Sequence, residues 1–190
     1  PLVAVSIGLA FATLADRLRR GEQVAKSLIF MPMAISFVGA AVTWRLIYGF
    51  RPEGFGTNIG LLNGIKDGLG QSPTPWLQEK PWNNLLLMVI MIWIQTGFAM
   101  VVLSAAIKAI PGDVVEAAEL DGATGWKLFS KVTIPMVRGT LIVVFTTIMI
   151  AVLKIFDIVR TMTNGNFGTQ VVANEMYAQA FVQFDKGRGS

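Results

Sequence analysis

Residues 83–107, NNLLLMVIMIWIQTGFAMVVLSAAI, contain no charged side chain. At 1.5 Å of rise per residue, a helix of that length crosses the hydrocarbon of a bilayer, about 30 Å thick. Lipid offers no water to the backbone, so a chain carrying such a run must satisfy its peptide groups within a helix. Three more apolar runs follow the same logic, at about 1–15, 27–50 and 140–159. Only 15% of the residues are charged, against about 25% in soluble domains. The fold class predicted is all-α: a polytopic transmembrane helix bundle forming a single domain over 1–190.

The basic residues set the topology. Arg17, Arg19, Arg20 and Lys26 follow the first run without nearby compensation, which places that segment in the cytoplasm. A secretory leader carries its charge before its apolar stretch, so a signal peptide is rejected. The net charge of +4 is thereby read as a membrane signal and not as a nucleic-acid surface. Residues 51–82 lie outside by alternation. There Arg51, Lys66 and Lys80 are offset by Glu53, Asp67 and Glu79, and an amphipathic piece is expected at Asn58–Ile65, with Trp76 and Trp82 at the outer interface. Residues 108–139 return to the cytoplasm, and 161–190 lie outside, with a helix expected over 169–182. The first run is shorter than the roughly 20 residues a span needs. The outer helix has no return span. Both lead us to expect a bundle truncated at its two ends.

Within the spans, Pro32 is tolerable because membrane neighbours re-satisfy freed carbonyls. Gly39, Ala40 and Ala41 offer a close-packing face, and Trp44, Arg45 and Tyr48 suit a headgroup boundary. Gln95 and Thr96 either bond to a neighbouring helix or line a polar path. Lys154 and Asp157, at i and i+3, project from one helical face and can pair. Arg160 belongs at headgroup level.

The polar stretch between the last two spans is the most specific. Pro111 precedes a helix, Asp113 is its expected N-cap, and Gly122 suits the left-handed C′ position that stops it. Thr124 is the expected cap of a second helix, which Pro135 ends near Thr133 by restricting Ile134. The product is a helix–turn–helix outside the bilayer. Chemistry is poorly provided for. There is no Cys or His, hence no thiolate or imidazole metal site, and no G-x-x-x-x-G-K-[ST] phosphate loop. We expect no metal, no cofactor and no enzymatic activity in this chain.

With Glu116-Ala117-Ala118, Asp121-Gly122-Ala123, Phe129 and Ile134-Pro135 in order, the chain resembles the inner-membrane permease subunits of binding-protein-dependent ABC importers. Gly60-Leu61-Leu62-Asn63, Phe156-Asp157 and Met162-Thr163-Asn164-Gly165 make it similar to the sugar branch, with maltose and glycerol-phosphate subunits. Gly165-Asn166-Phe167 stands where that branch often has Gly-Gly-Pro. The resemblance implies a type I permease fold in a bacterial or archaeal inner membrane. It implies a coupling loop, residues 108–139, docked in a cytoplasmic ABC ATPase dimer that binds the ATP and Mg. Glu116 would be the charged contact, Ala117 and Ala118 the close approach, and Gly122 the joint. Asp121, Ala123 and Pro135 complete the motif. It also implies an extracytoplasmic solute-binding protein and a second, non-identical permease. A path for a sugar such as an α-glucoside would be lined by Trp93, Gln95, Phe98 and Lys154, with Asp157 as the alternative partner of Lys154. The competing readings are an ion-coupled transporter or channel that relays through Lys154 and Asp157, and an intramembrane enzyme, for which the spans lack a catalytic constellation.

Overall fold

The computed structural model describes residues 1–16, 21–52, 54–56, 59–185 and 187. Arg17, Arg19 and Arg20 of the basic cluster, Glu53 of the outer loop and Asn58 of the expected amphipathic piece lie outside the described residues. The described residues form helices and turns. Two helical runs, Trp82–Lys108 and Trp126–Met162, are long and apolar enough to cross a membrane. The chain divides into two compact units: Pro1–Ala34 with Ile92–Val152, and Ile35–Met91 with Leu153–Ser190.

The first unit contains α1 (Leu2–Ala15), α2 (Glu22–Phe30), the later part of α5 (Trp82–Lys108), α6 (Gly112–Leu120), α7 (Trp126–Leu128) and α8 (Ile134–Leu153). Its core joins Ala4, Val5 and Ala12 of α1 to Ala99, Met100 and Leu103 of α5 and to Val144 and Ile148 of α8. Ala4, Gly8 and Ala12 recur every fourth residue, so one face of α1 is a strip of small side chains. That strip lets two backbones approach closely where lipid provides no hydrophobic drive to associate. A Cβ at Gly8 would sit 2.5 Å from the Ala99 Cβ, and one at Gly97 would sit 2.7 Å from the Ile29 carbonyl oxygen. Gly8→Val is therefore expected to lower stability by about 1–3 kcal/mol, the range for overpacking. Thermal unfolding in detergent checks this. Gly64→Ala, whose added methyl meets nothing within 4 Å, is the control. Equal melting temperatures would remove the close contact.

Lys26 does more than mark topology. It donates to Glu22 Oε1 at 2.7 Å and also to Asp16 and Ser104; Ser104 donates to Asp16 Oδ1 at 2.8 Å, and Lys108 pairs with Glu22. This network fastens the end of α1 and the start of α2 to the last turns of α5.

The second unit contains α3 (Phe37–Ile47), α4 (Leu61–Gly68), the start of α5, α9 (Asp157–Met162) and α10 (Val172–Tyr177), which continues as a π turn over Ala178–Val182. α3 packs on α9, with Ala40, Ala41, Ile158 and Val159 buried. Tyr48 is also buried and donates to the Leu86 carbonyl at 3.3 Å. Between α3 and α5, the buried Asn63 binds Gly49, Thr74 and Trp76, and Trp76 meets Trp82 edge to face at 6.4 Å.

Two of the apolar runs are interrupted. Residues 27–50 are not one continuous helix. α2 gives way to a 3-10 turn at Met31–Ala34, and α3 starts afresh behind Ser36, whose Oγ accepts from the Gly39 N–H at 3.1 Å. Pro32 removes one N–H and crowds the preceding turn. The serine cap then makes a new helix cheaper than a kinked one. Residues 140–159 are likewise not one helix. α8 ends at Leu153, and Phe156 is non-helical at φ −134° before α9 begins at Asp157. Lys154 and Asp157 thus do not share a helical face. Among the described residues they form no ion pair.

Candidate coupling site

The polar stretch folds as a helix, two glycine turns and a second helix that continues into α8. α6 starts directly after Pro111, which sits at the N-cap with φ −59° and ψ 136° and gives no side-chain cap. Asp113 is not the N-cap. It lies in the first turn, where its charge complements the positive end of the helix dipole. A proline there already has the extended backbone that a cap needs.

The end of α6 is a Schellman closure. Gly122 N–H bonds to the Glu119 carbonyl at 3.0 Å and Ala123 N–H to the Ala118 carbonyl at 2.9 Å, with Gly122 at φ +80°. A second glycine, Gly125 at φ +54° and ψ −117°, starts α7. Thr124 does not cap α7 through its hydroxyl; its carbonyl accepts from the Lys127 N–H at 3.1 Å. Sequence reasoning passed over Gly125, although a G-x-x-G spacing around a turn is a readable signal.

Pro135 does not end the second helix. Phe129–Thr133 form a π turn, and α8 starts at Ile134 without interruption. Proline has no N–H to give and its ring presses on the carbonyl four residues back. The wider π turn displaces that carbonyl, so the helix passes through. The segment after Gly125 is consequently one helical rod running into the apolar length of α8.

The surface of this motif is open. Glu116, Ala117, Asp121, Gly122 and Pro135 are exposed, and Ala118 and Ala123 are half-buried. Leu120 is 90% exposed and Trp126 is 75% exposed. Two large apolar side chains are thus in the open on a stretch that is otherwise rich in carboxylates. From Asp113 to Asp121 there are four carboxylates and no cation, so a complementary face would be basic. The Glu116 carboxylate has no hydrogen-bond or ion-pair partner among the described residues.

The other site residues are dispersed. On α5, Gln95 and Thr96 are buried while Trp93 and Phe98 are half-buried. Trp93 and Gln95, two apart, point away from each other. Thr96 Oγ1 is buried without a hydrogen-bond partner. Lys154 is exposed and Asp157 half-buried, both in the second unit. Among the described residues no group of three or more His, Cys, Asp or Glu could hold a metal.

Comparison with known proteins identifies the family. A family model described as the binding-protein-dependent transport system inner membrane component matches residues 4–184. The chain is 55% identical over 188 residues to an osmoprotective compounds uptake permease protein of Synechocystis sp., covering 99% of this chain and 67% of that one. It is 54% identical over 191 residues to an alpha-glucoside transport system permease protein of Rhizobium meliloti, covering 100% of this chain and 56% of that one. The fold is similar to a chain in a bacterial alginate ABC transporter solved with an alginate pentasaccharide-bound periplasmic protein. There the TM-score is 0.83 at 19% identity, over 97% of this chain and 64% of that chain. The chain thus spans between 56% and 67% of the length of these proteins. It belongs to the family of binding-protein-dependent transport system inner membrane components.

Proposed function

We propose that this chain is part of a multi-pass permease in an ATP-driven importer of α-glucosides and related neutral sugars. In that reading α6 docks on a cytoplasmic ABC ATPase dimer, which binds and hydrolyses the ATP. A solute-binding protein delivers the sugar from outside, and a second, non-identical permease completes the path. The observation that carries the coupling role is the exposed α6, jointed at Gly122 and Gly125 to a rod continuous with α8. A displacement of α6 by closure of the ATPase dimer therefore has a stiff route into an apolar membrane helix, as a rigid-body switch requires. The sugar class is supported by the name of the Rhizobium meliloti relative, an alpha-glucoside transport system permease protein.

The break between Lys154, in the turn after α8, and Asp157, at the start of α9, and the lack of an ion pair between them weigh against an ion relay through that pair. The test is uptake by the full importer in proteoliposomes, with labelled maltose and trehalose as probes. Uptake is expected to require the ATPase, the binding protein and ATP together. Accumulation driven by an ion gradient without the ATPase overturns the proposal.

A further inference from the structure

The start of α2 is held by charge and not by packing. No residue of α2 is buried. Its first turns are tied instead by two carboxylates, Asp16 and Glu22, that face two ammonium groups, Lys26 and Lys108, with the Ser104 hydroxyl among them. The side chains of Asp16, Glu22 and Lys26 are 14%, 27% and 19% exposed, and Ser104 is buried. Salt and water screen pairs of that kind weakly. Lys108 is 53% exposed, so it is the member with room to move.

The network is unevenly satisfied. Asp16 Oδ1 accepts from both Lys26 and Ser104, while Asp16 Oδ2 is buried and receives no hydrogen bond. A buried acceptor without a donor is costly and calls for explanation. Lys108 stands between the two carboxylates. It donates to Glu22, and its Nζ lies 3.9 Å from Asp16 Oδ1. A shift of about 1 Å would bring it within hydrogen-bond distance of Asp16. An ionised carboxylate has about four acceptor positions, and its terminal torsion is broad, so a small turn spreads three donors over both oxygens. Glu22 would not be stranded by the move, because Lys26 also donates to it at 2.7 Å. Lys108 therefore has two stations, and leaving one fills the open acceptor at the other.

The place of Lys108 in the chain gives the two stations a use. It is the last residue of α5, and Pro111 at the N-cap of α6 follows three positions later. Two of the joining residues are bonded back to α5: Ala109 N–H to the Ala105 carbonyl at 3.1 Å and Ile110 N–H to the Ile107 carbonyl at 3.2 Å. A displacement of α6 thus reaches Lys108 with little slack. We propose that Lys108 is a two-station ion-pair switch at the root of α6. On Glu22 it ties the start of α2 to α5; on Asp16 it loosens that tie, and movement of α6 drives it between the two. Repacked salt bridges at a displaced element are a common form of such switching. The switch rests on the reading of α6 as the element that an ATPase moves.

The test uses the full importer in proteoliposomes and reads the ratio of ATP hydrolysis with maltose-loaded binding protein to basal hydrolysis. Glu22→Gln weakens the first station. Asp16→Asn weakens the second, since its amide sets N–H donors against the arriving ammonium. The two substitutions are expected to move the ratio in opposite directions, about threefold each, the size of a partly exposed ion pair. On a Lys108→Gln background, which pairs at neither station, both shifts should vanish. A fixed brace behaves otherwise. It is weakened in the same direction by both substitutions, and Asp16→Asn would act through Lys26 and Ser104 with or without Lys108. Shifts of one sign, shifts that persist with Lys108→Gln, or parental ratios in both variants overturn the switch. Lys108→Arg decides the matter even if Asp16→Asn fails to assemble. It keeps the charge a brace needs, but its fork reaches both carboxylates at once. Uptake should fall about threefold at a parental melting temperature, and parental uptake overturns the switch. Uptake by the parent that needs no ATPase overturns the importer reading, and the switch with it.

Discussion

Glu116→Lys is expected to abolish ATP-driven uptake while the subunit still inserts and keeps its thermal stability. The two halves have separate causes. Within this chain the Glu116 carboxylate is exposed and has no partner among the described residues, so removing it breaks no internal bond. Surface substitutions of that kind stay within about 0.5 kcal/mol of the parent. Against an ATPase the outcome differs. α6 and its cap present four carboxylates with no cation between them, and docking would pair and desolvate the charge at 116. Truncating one member of a buried interfacial pair costs about 2–5 kcal/mol. At 1.4 kcal/mol per tenfold, that is roughly 30-fold to several thousand-fold in affinity, and reversing the sign adds repulsion. The measurements are co-purification of the ATPase subunits with the membrane complex, and sugar-stimulated uptake. Retention of both at parental levels would remove α6 as the docking element.

Gly122→Val provides the contrasting case. At φ +80° a β-branched residue is a genuine outlier, costing about 1–3 kcal/mol of backbone strain. That cost falls on the α6 closure and so reaches stability as well as coupling. Glu116→Lys should spare the melting temperature, and Gly122→Val should lower it. The pair separates a charge that meets a partner from a joint that shapes the motif.

The apolar runs were legible because a bilayer permits one solution for them, and the α6 closure because a glycine, Gly122, stands where a left-handed residue must end the helix. Periodicity could not show where those runs break. Pro32 reads as a tolerable kink until Ser36 is recognised as a cap, and Phe156 carries no break signal at all. Pro135 misled in the other direction. A stop was the natural reading, yet the π turn before it lets the helix continue. The charge network at Lys26 was half visible, since Glu22 and Lys26 have i,i+4 spacing. Its other members, Asp16, Ser104 and Lys108, are distant in sequence and meet only through packing. The ring contact between Phe156 and Tyr177 escaped for the same reason: they are 21 positions apart, and no local pattern joins them.

Asn63→Leu is expected to release the loop between α3 and α5, at a cost of about 3–5 kcal/mol, without touching residues 111–135. Asn63 is 0% exposed and its amide is fully used. Nδ2 donates to the carbonyls of Gly49 at 2.8 Å and Thr74 at 3.0 Å, while Oδ1 accepts from Thr74 N–H at 2.8 Å and Trp76 Nε1 at 3.1 Å. Two donors and two acceptors are all that a primary amide offers. Leucine has nearly the same shape and fills the space, so packing is kept and the effect is polar. Each partner left buried and unpaired costs about 1–3 kcal/mol, and water entering at the loop edge brings the total below the simple sum. Asn63→Asp does not rescue, because it turns a donor into an oxygen facing two carbonyls. The bonds to Thr74 and Trp76 are what bring residues 74–76 back over α4. Their loss should appear as faster backbone hydrogen exchange over 61–76 and as altered tryptophan emission from Trp76, which stacks edge to face with Trp82. In the assembled importer, activation of ATP hydrolysis by the loaded binding protein should fall while basal hydrolysis persists, whereas Glu116→Lys is expected to detach the ATPase itself. Unchanged exchange across 61–76 would mean that the loop is held by something other than Asn63.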